Sequence, residues 1–337
     1  MRVPRHTGVN RRPGGRREFM RTAGMRRILM SRFLLLCVLV VSMTGCATLG
    51  GHTVVLDERA DARLDIAVKN GLFTTTARIG PVEARPFVID SGADHLYVDS
   101  ELAKKLNPSS WSARDSLGAK PNVKWGRLTL FQIGPMTLRH TLVGVTDFSA
   151  ASASFGERLA GLLGYPFFAN AVVEVDYPHG TVSCFDPKTY RLPGGHWQPL
   201  ALTGNRPTLA ARLEGNIEGQ FLLDTGNTST VLFFPGFVRE HSLLQNRRVR
   251  SVTLTRATGD TETLAGRIAW FEFAGHRFEK PMVQFDPPNN PRGSQGRLAG
   301  VIGRGFLRQF IVVFNYPESR IAFLPRRSSD EKGDHRW

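Results

Sequence analysis

Four stretches of the chain occur twice in the same order. Thr74-Thr75-Thr76-Ala77-Arg78-Ile79 is answered by Thr208-Leu209-Ala210-Ala211-Arg212-Leu213, and Phe87-Val88-Ile89-Asp90-Ser91-Gly92 by Phe221-Leu222-Leu223-Asp224-Thr225-Gly226, both at a spacing of 134 residues. Leu159-Ala160-Gly161-Leu162-Leu163-Gly164 then matches Leu298-Ala299-Gly300-Val301-Ile302-Gly303, and Val175-Asp176-Tyr177-Pro178 matches Phe314-Asn315-Tyr316-Pro317, at a spacing of 139. A slip of only five residues separates the two spacings, so one unit of about 130 residues is used twice. Whatever fold the first unit adopts, the second must be able to adopt as well.

Each unit reads as β. Leu72 to Ile79 and Pro86 to Asp90 are short runs of β-branched and apolar residues separated by turn residues. Leu128 to Ile133 and Ile268 to Phe273 alternate as half-buried strands do, and Ala171 to Val175 and Phe310 to Phe314 lead into Tyr-Pro turns and a last strand. Helix is scarce: Ser100 is expected to cap a helix to Leu106, and Phe167–Ala171 and Phe306–Phe310 are expected as single turns. The 34 Gly and 20 Pro suit such a turn-rich chain.

The formal net charge of +15 is unevenly placed, because residues 1–32 hold ten Arg and one Glu, or +9. The remaining chain carries +6, too little to argue for a nucleic-acid partner. Arg26, Arg27 and Arg32 precede the apolar run from Phe33 to Val41, which is too short for a stable membrane span and fits the core of a signal peptide. Met43-Thr44-Gly45-Cys46 resembles the bacterial lipobox, in which the Cys is lipidated and becomes the new N-terminus. Ordinary secretory cleavage after Val41, with Cys46 incidental, is the other reading. The lipobox reading implies a cell-envelope protein on the periplasmic side, held to a membrane through its N-terminal lipid, with Ala47 after the Cys favouring the outer membrane. Cys184 is then the one Cys of the mature body, expected as a small buried hydrophobe.

Asp90-Ser91-Gly92 and Asp224-Thr225-Gly226 follow three apolar residues each, at repeat-equivalent places. A single such triplet arises by chance in roughly one chain in seven of this length. Two at equivalent positions are a far stronger signal. Here the sequence resembles the aspartic proteases, specifically the bacterial pepsin/retropepsin-like group, over about residues 70–325. The resemblance implies an all-β fold of two tandem lobes related by an internal pseudo-two-fold, with residues 1–45 as leader, 46–59 as tether, 60–192 and 196–326 as the lobes and 327–337 as a polar tail. It implies Asp90 and Asp224 as the catalytic pair and Ser91, Gly92, Ala93, Thr225, Gly226 and Asn227 as their supporting loops. Gly164 and Gly303 end the apolar-apolar-Gly elements that hold those loops. Trp125, Gly126 and Gly259 fall where a flap is expected. No cofactor and no metal are implied, the nine His show no metal-ligand spacing, and the expected partner is an extended peptide or unfolded protein, taken by a monomer.

Two carboxylates at a dyad cannot both ionise cheaply, so they share a proton and can work as base and acid toward water and a peptide carbonyl. Ala93 has no hydroxyl with which to stabilise an ionised Asp90, which predicts activity nearer weakly than strongly acidic pH. Asn227 departs from the small residue usual after the second triplet: it either donates its amide to the pair or marks a half drifting from efficient catalysis. A binding protein that keeps the cleft without cleaving, and single units paired between two chains, are the rival readings. Arg247-Arg248-Val249-Arg250 reads as a solvated face, and Gly300 to Gly305 as structural rather than a phosphate loop.

Overall fold

A computed structural model describes residues 53–57, 62–107, 110–113, 122–256, 259–288 and 297–325. The leader with Cys46, most of the tether, the tail and residues 118–121 of the first expected flap (118–127) lie outside the described residues. Among the described residues the strands form three sheets, of nine, five and ten strands, and no helix is long and apolar enough to cross a membrane.

The nine-stranded sheet belongs to the first repeat unit and the ten-stranded sheet to the second. Their centres run in the same order: Leu96–Asp99, Gly161–Leu163, Val82–Ile89, Leu72–Ile79 and Lys124–Ile133 in the first, and Val231–Phe233, Leu298–Ile302, Ile217–Leu223, Arg206–Leu213 and Trp270–Phe273 in the second. In each, the strand that ends at the Asp pairs in parallel with the strand that ends at the apolar-apolar-Gly element (Val88 beside Leu162, Leu222 beside Val301). Both of these strands are covered on two faces, which is why Phe87-Val88-Ile89 and Phe221-Leu222-Leu223 read as unbroken apolar runs rather than alternating ones.

The five-stranded sheet draws on both units. Val172–Asp176 of the first runs antiparallel to Phe310–Asn315 of the second, with Val173 opposite Phe314 and Val175 opposite Val312. Thr181–Phe185 flanks the first of these and Arg320–Pro325 the second, and Gln198–Pro199 adds the edge. Val172, Val173, Val175, Val312, Val313 and Phe314 are fully buried, so this shared sheet joins the halves through core rather than through a surface contact.

The halves differ where proline intervenes. The first has one long hairpin, Lys124–Ile133 with Met136–Thr146. In the second, the expected strand from Ile268 to Phe273 begins only at Trp270, and the hairpin is split into Gly259–Arg267 with Met282–Phe285 and Trp270–Phe273 with His276–Glu279. Pro281 brings no N–H to a ladder, and Lys280 beside it takes a left-handed φ of 48°, so the strand breaks there.

Helices remain short. The one at Ser100–Lys105 is capped by Asp99, not by Ser100: the Asp99 carboxylate accepts the N–H groups of Glu101 and Leu102 and pairs with both Arg158 Nε (2.8 Å) and Nη2 (2.9 Å). Burial pushes the Asp99 carboxyl up, but the Arg158 guanidinium and the backbone donors outweigh it and hold the group below its ordinary value. The expected single turns lie two residues earlier, at Tyr165–Phe168 and Arg304–Leu307, each starting right after its glycine. Cys184 is free and buried.

Where strands cross closely, glycine is required. A Cβ on Gly161 would lie 2.0 Å from the Tyr97 carbonyl oxygen, whereas one on Gly194 would meet nothing within 4 Å. Gly161→Ala is therefore expected to cost about 3 kcal/mol or more in urea unfolding, because backbone cannot step aside, and Gly194→Ala to stay within about 0.5 kcal/mol of wild type.

Candidate active site

Each Asp sits one residue beyond a buried strand. Asp90 N–H donates to the Leu163 carbonyl and Asp224 N–H to the Ile302 carbonyl, both at 3.0 Å, so each Asp starts as a continuation of the parallel ladder. The chain then turns at once: Ala93 N–H donates to Asp90 C=O and Asn227 N–H to Asp224 C=O, both at 3.2 Å. Gly164 and Gly303 lie beneath these turns. A Cβ on Gly164 would come within 2.4 Å of the Ala93 carbonyl oxygen, and one on Gly303 within 2.7 Å of that of Asn227. The next residues lock the contact, Tyr165 N–H donating to Ala93 C=O (2.9 Å) and Arg304 N–H to Asn227 C=O (2.7 Å).

The two turns are tied to each other by their hydroxyls. Ser91 N–H donates to Thr225 Oγ1 at 2.9 Å, and Thr225 N–H donates to Ser91 Oγ at 3.0 Å. Each hydroxyl then donates across the junction, Ser91 to the Leu223 carbonyl (2.9 Å) and Thr225 to the Ile89 carbonyl (2.7 Å). Ser91 and Thr225 are each 1% exposed, so these four bonds satisfy groups that water cannot reach.

Two glycines set how closely the carboxyl groups approach. A Cβ on Gly92 would lie 2.5 Å from Asp224 Cγ, and one on Gly226 would lie 2.7 Å from Asp90 Cγ. Each carboxyl thus leans over the other half's glycine, and the pair meets across the junction. Gly226 N–H donates to Asp224 Oδ1 at 2.8 Å. Both residues remain half-buried and so reachable from solvent.

The electrostatics are unequal. Burial raises the Asp90 carboxyl well above its ordinary 3.8, and the charge of Asp224 and the hydrogen bond between the two raise it further. Burial also raises Asp224, but the hydrogen bond from Asp90, the Gly226 N–H and the positive charge of Arg206 all pull it back. The two carboxyls therefore titrate as one pair that shares a proton. Oδ1 of Asp90 is buried with no hydrogen-bond donor among the described residues, and a proton held between the carboxyls would supply its partner.

Among the residues expected in support, Ala93 is buried beside Gly164, and Asn227 is engaged through its amide oxygen. Its Oδ1 accepts the Ser229 N–H (2.8 Å) and O–H (2.6 Å), so the residue braces its own loop. Trp125 and Gly126 lie on a paired strand opposite Gly144 and Val143. Trp125 is 8% exposed and packs in a cluster with Val88, Ala93, Tyr97 and Phe148. Gly259 pairs with Arg256 at the end of the hairpin Val249–Arg256 with Gly259–Arg267; the hairpin's tip, 257–258, lies outside the described residues.

Sequence reasoning passed over several neighbours. Tyr97 O–H donates to Asp94 Oδ1 at 2.7 Å, and Asn205 Nδ2 of the second unit donates to the Asp94 carbonyl at 3.4 Å. Arg206, next to Asn205, acts electrostatically on both Tyr97 and Asp224. The signal available was asymmetry: Arg206 stands at the repeat position of Leu72, and Asp94 at that of Thr228.

Ser91→Ala removes the acceptor of one buried N–H and the donor to one buried carbonyl, so it should destabilise by about 2–3 kcal/mol in urea unfolding, with Thr225→Val similar and the double variant losing less than the sum. Asp90→Asn has the opposite sign at neutral pH. A carboxyl with a raised folded-state pKa contributes stability below its ordinary 3.8 that is lost as pH rises through the raised value. The variant is therefore expected to melt above wild type at pH 7 and to lose that margin as the pH approaches 3.8.

Among comparisons with known proteins, residues 75–167 match the family described as aspartyl protease, a stretch containing Asp90, Ser91, Gly92 and Gly164. No curated protein matches the chain. That stretch is similar to the aspartyl protease family, a likeness that supports a hydrolase of the protease class.

Proposed function

We propose that the chain is an aspartic endopeptidase in which two lobes, one from each repeat unit, place Asp90 and Asp224 on either side of one water. The observation that carries this reading is the opposed carboxyl pair, each group within a glycine's width of the other's loop. Asp224, the ionised member, takes a proton from the water as its oxygen attacks the peptide carbonyl carbon. Asp90 gives its proton to the carbonyl oxygen, forming a gem-diol. The C–N bond then breaks as Asp224 returns the proton to the departing nitrogen and Asp90 recovers one from the diol, so the pair ends as it began. The hydroxyl exchange of Ser91 and Thr225 holds both carboxyls in place through the cycle.

The substrate is an extended peptide or unfolded protein segment bound by strand addition along the cleft, and the chain acts as a monomer because it supplies both Asp turns itself. With Cys46 lipidated, the enzyme is held on the periplasmic face of a bacterial envelope membrane, the outer one by the identity of Ala47.

Asp90→Asn and Asp224→Asn are each expected to lower kcat on a susceptible peptide at least about a thousandfold while leaving a cooperative melt. Two variants that both cut at the wild-type rate would remove the reading. Activity requires one proton on the pair. It falls as pH rises through the raised pKa of Asp90, and falls again as acid protonates Asp224, whose pKa is also raised. Both limbs therefore shift upward, and the pH–rate profile should peak at weakly acidic pH; a maximum below about pH 3 contradicts the assignment.

A further inference from the structure

Arg304 is a guanidinium in an unusual place. Its N–H closes the turn that follows Asp224-Thr225-Gly226. Its side chain reaches to the first unit, where a Cβ on Gly71 would lie 2.7 Å from Nη1 and 2.9 Å from Cζ. Gly71 has φ 77° in the turn between Ile66–Lys69 and Leu72–Ile79, so the guanidinium rests against a backbone that only glycine readily supplies. Arg304 Nε is buried and has no hydrogen-bond partner among the described residues, and neither has the buried hydroxyl of Tyr177. These two groups interact electrostatically, and the other charge acting on Arg304 is a second cation, Arg308.

The carboxyl of the turn beside Arg304, Asp224, meets Asp90 across the junction, and Thr228 occupies the loop position where the first unit has Asp94, so that position adds no second carboxylate. Lys69, on the strand before Gly71, already holds Glu157 at 2.7 Å. At the repeat position of Arg304 the first unit carries Tyr165, so the charge is not demanded by the scaffold.

We propose that Arg304, with the Tyr177 hydroxyl beside it, forms a subsite that takes a carboxylate of the bound peptide on the Asp224 side of the cleft. Two donors with no internal acceptor, one of them a planar fork suited to a carboxylate, select an anionic group over its neutral isostere. The carboxylate comes from a Glu or Asp side chain or from the peptide's free end. The proposal rests on the cleft being a peptide site and not on the hydrolysis itself.

The test measures binding of fluorescent peptides to the Asp90→Asn protein, so that cleavage does not enter. One arm scans Glu against Gln along an internal sequence; the other compares a free C-terminus with an amidated one. At one position, or at the free end, the carboxylate is expected to bind about tenfold tighter than its neutral partner. Adding Arg304→Gln should abolish that ratio, Arg304→Lys should restore part of it, and Tyr177→Phe should reduce it. Melting temperatures report whether each variant is folded, and Tyr177→Phe with Arg304→Lys carries the test if Arg304→Gln unfolds. A flat ratio in both arms, or a ratio that survives Arg304→Gln, overturns the subsite. The same peptides are then given to the wild-type protein. Cleavage without a carboxylate preference leaves the protease reading and removes the subsite, and a preference without cleavage does the reverse.

Discussion

Two carboxyl groups are held face to face with no side chain on the opposing residues to keep them apart, and most of the chain is arranged around the difficulty this creates. Like charges at such a distance repel, and burial penalises each of them separately. Only a rigid framework can keep them there. The exchange between Ser91 and Thr225 provides it, because each hydroxyl both accepts an N–H from the other turn and donates to the strand carbonyl behind it. Moving either turn would strand several buried polar groups at once, so the two turns move together or not at all.

The framework is symmetric in backbone and unsymmetric in charge. Both Asp strands pair in parallel with an apolar-apolar-Gly strand, both turns close on the same carbonyl, and both glycines press on the loop beyond. Yet Arg206 replaces Leu72, Arg304 replaces Tyr165, and Asp94 stands where the second unit has Thr228. The two turns carry matching hydrogen bonds, which is what a close carboxyl pair needs. The charge differences around them make the surroundings of the two carboxyls unequal, while the pair itself titrates as a unit that shares one proton.

This division also explains what could be read from the sequence. Turns and buried strands are local in the chain, so Asp90-Ser91-Gly92, Leu162-Leu163-Gly164 and their partners were visible as words repeated at fixed spacing. Cys184 lay buried, as its apolar setting implied. Contacts between distant segments leave no such word. Trp125 could be read from the sequence either as a flap residue or as core, and the cluster it fills with Tyr97 and Phe148 is one that only the folded sheet assembles. Asp99 capped the helix in place of Ser100 because a carboxylate already fixed by Arg158 makes the stronger acceptor. The partner that Asn227 takes, Ser229, is on its own loop.

A carboxyl pair of this kind lowers the stability of the protein that holds it, and the burden falls on the junction between the units, where the pair itself pushes them apart. The five-stranded sheet lies at that junction and consists of residues from both units. Its central strands, Val172–Asp176 and Phe310–Asn315, are lined with Val and Phe buried to completion, and burying each such side chain contributes about 1.5–3 kcal/mol. Flexing between the halves would therefore have to open hydrophobic core and not merely a polar contact. The strain of the opposed carboxyls is thus confined to two short turns, where a shared proton relieves it.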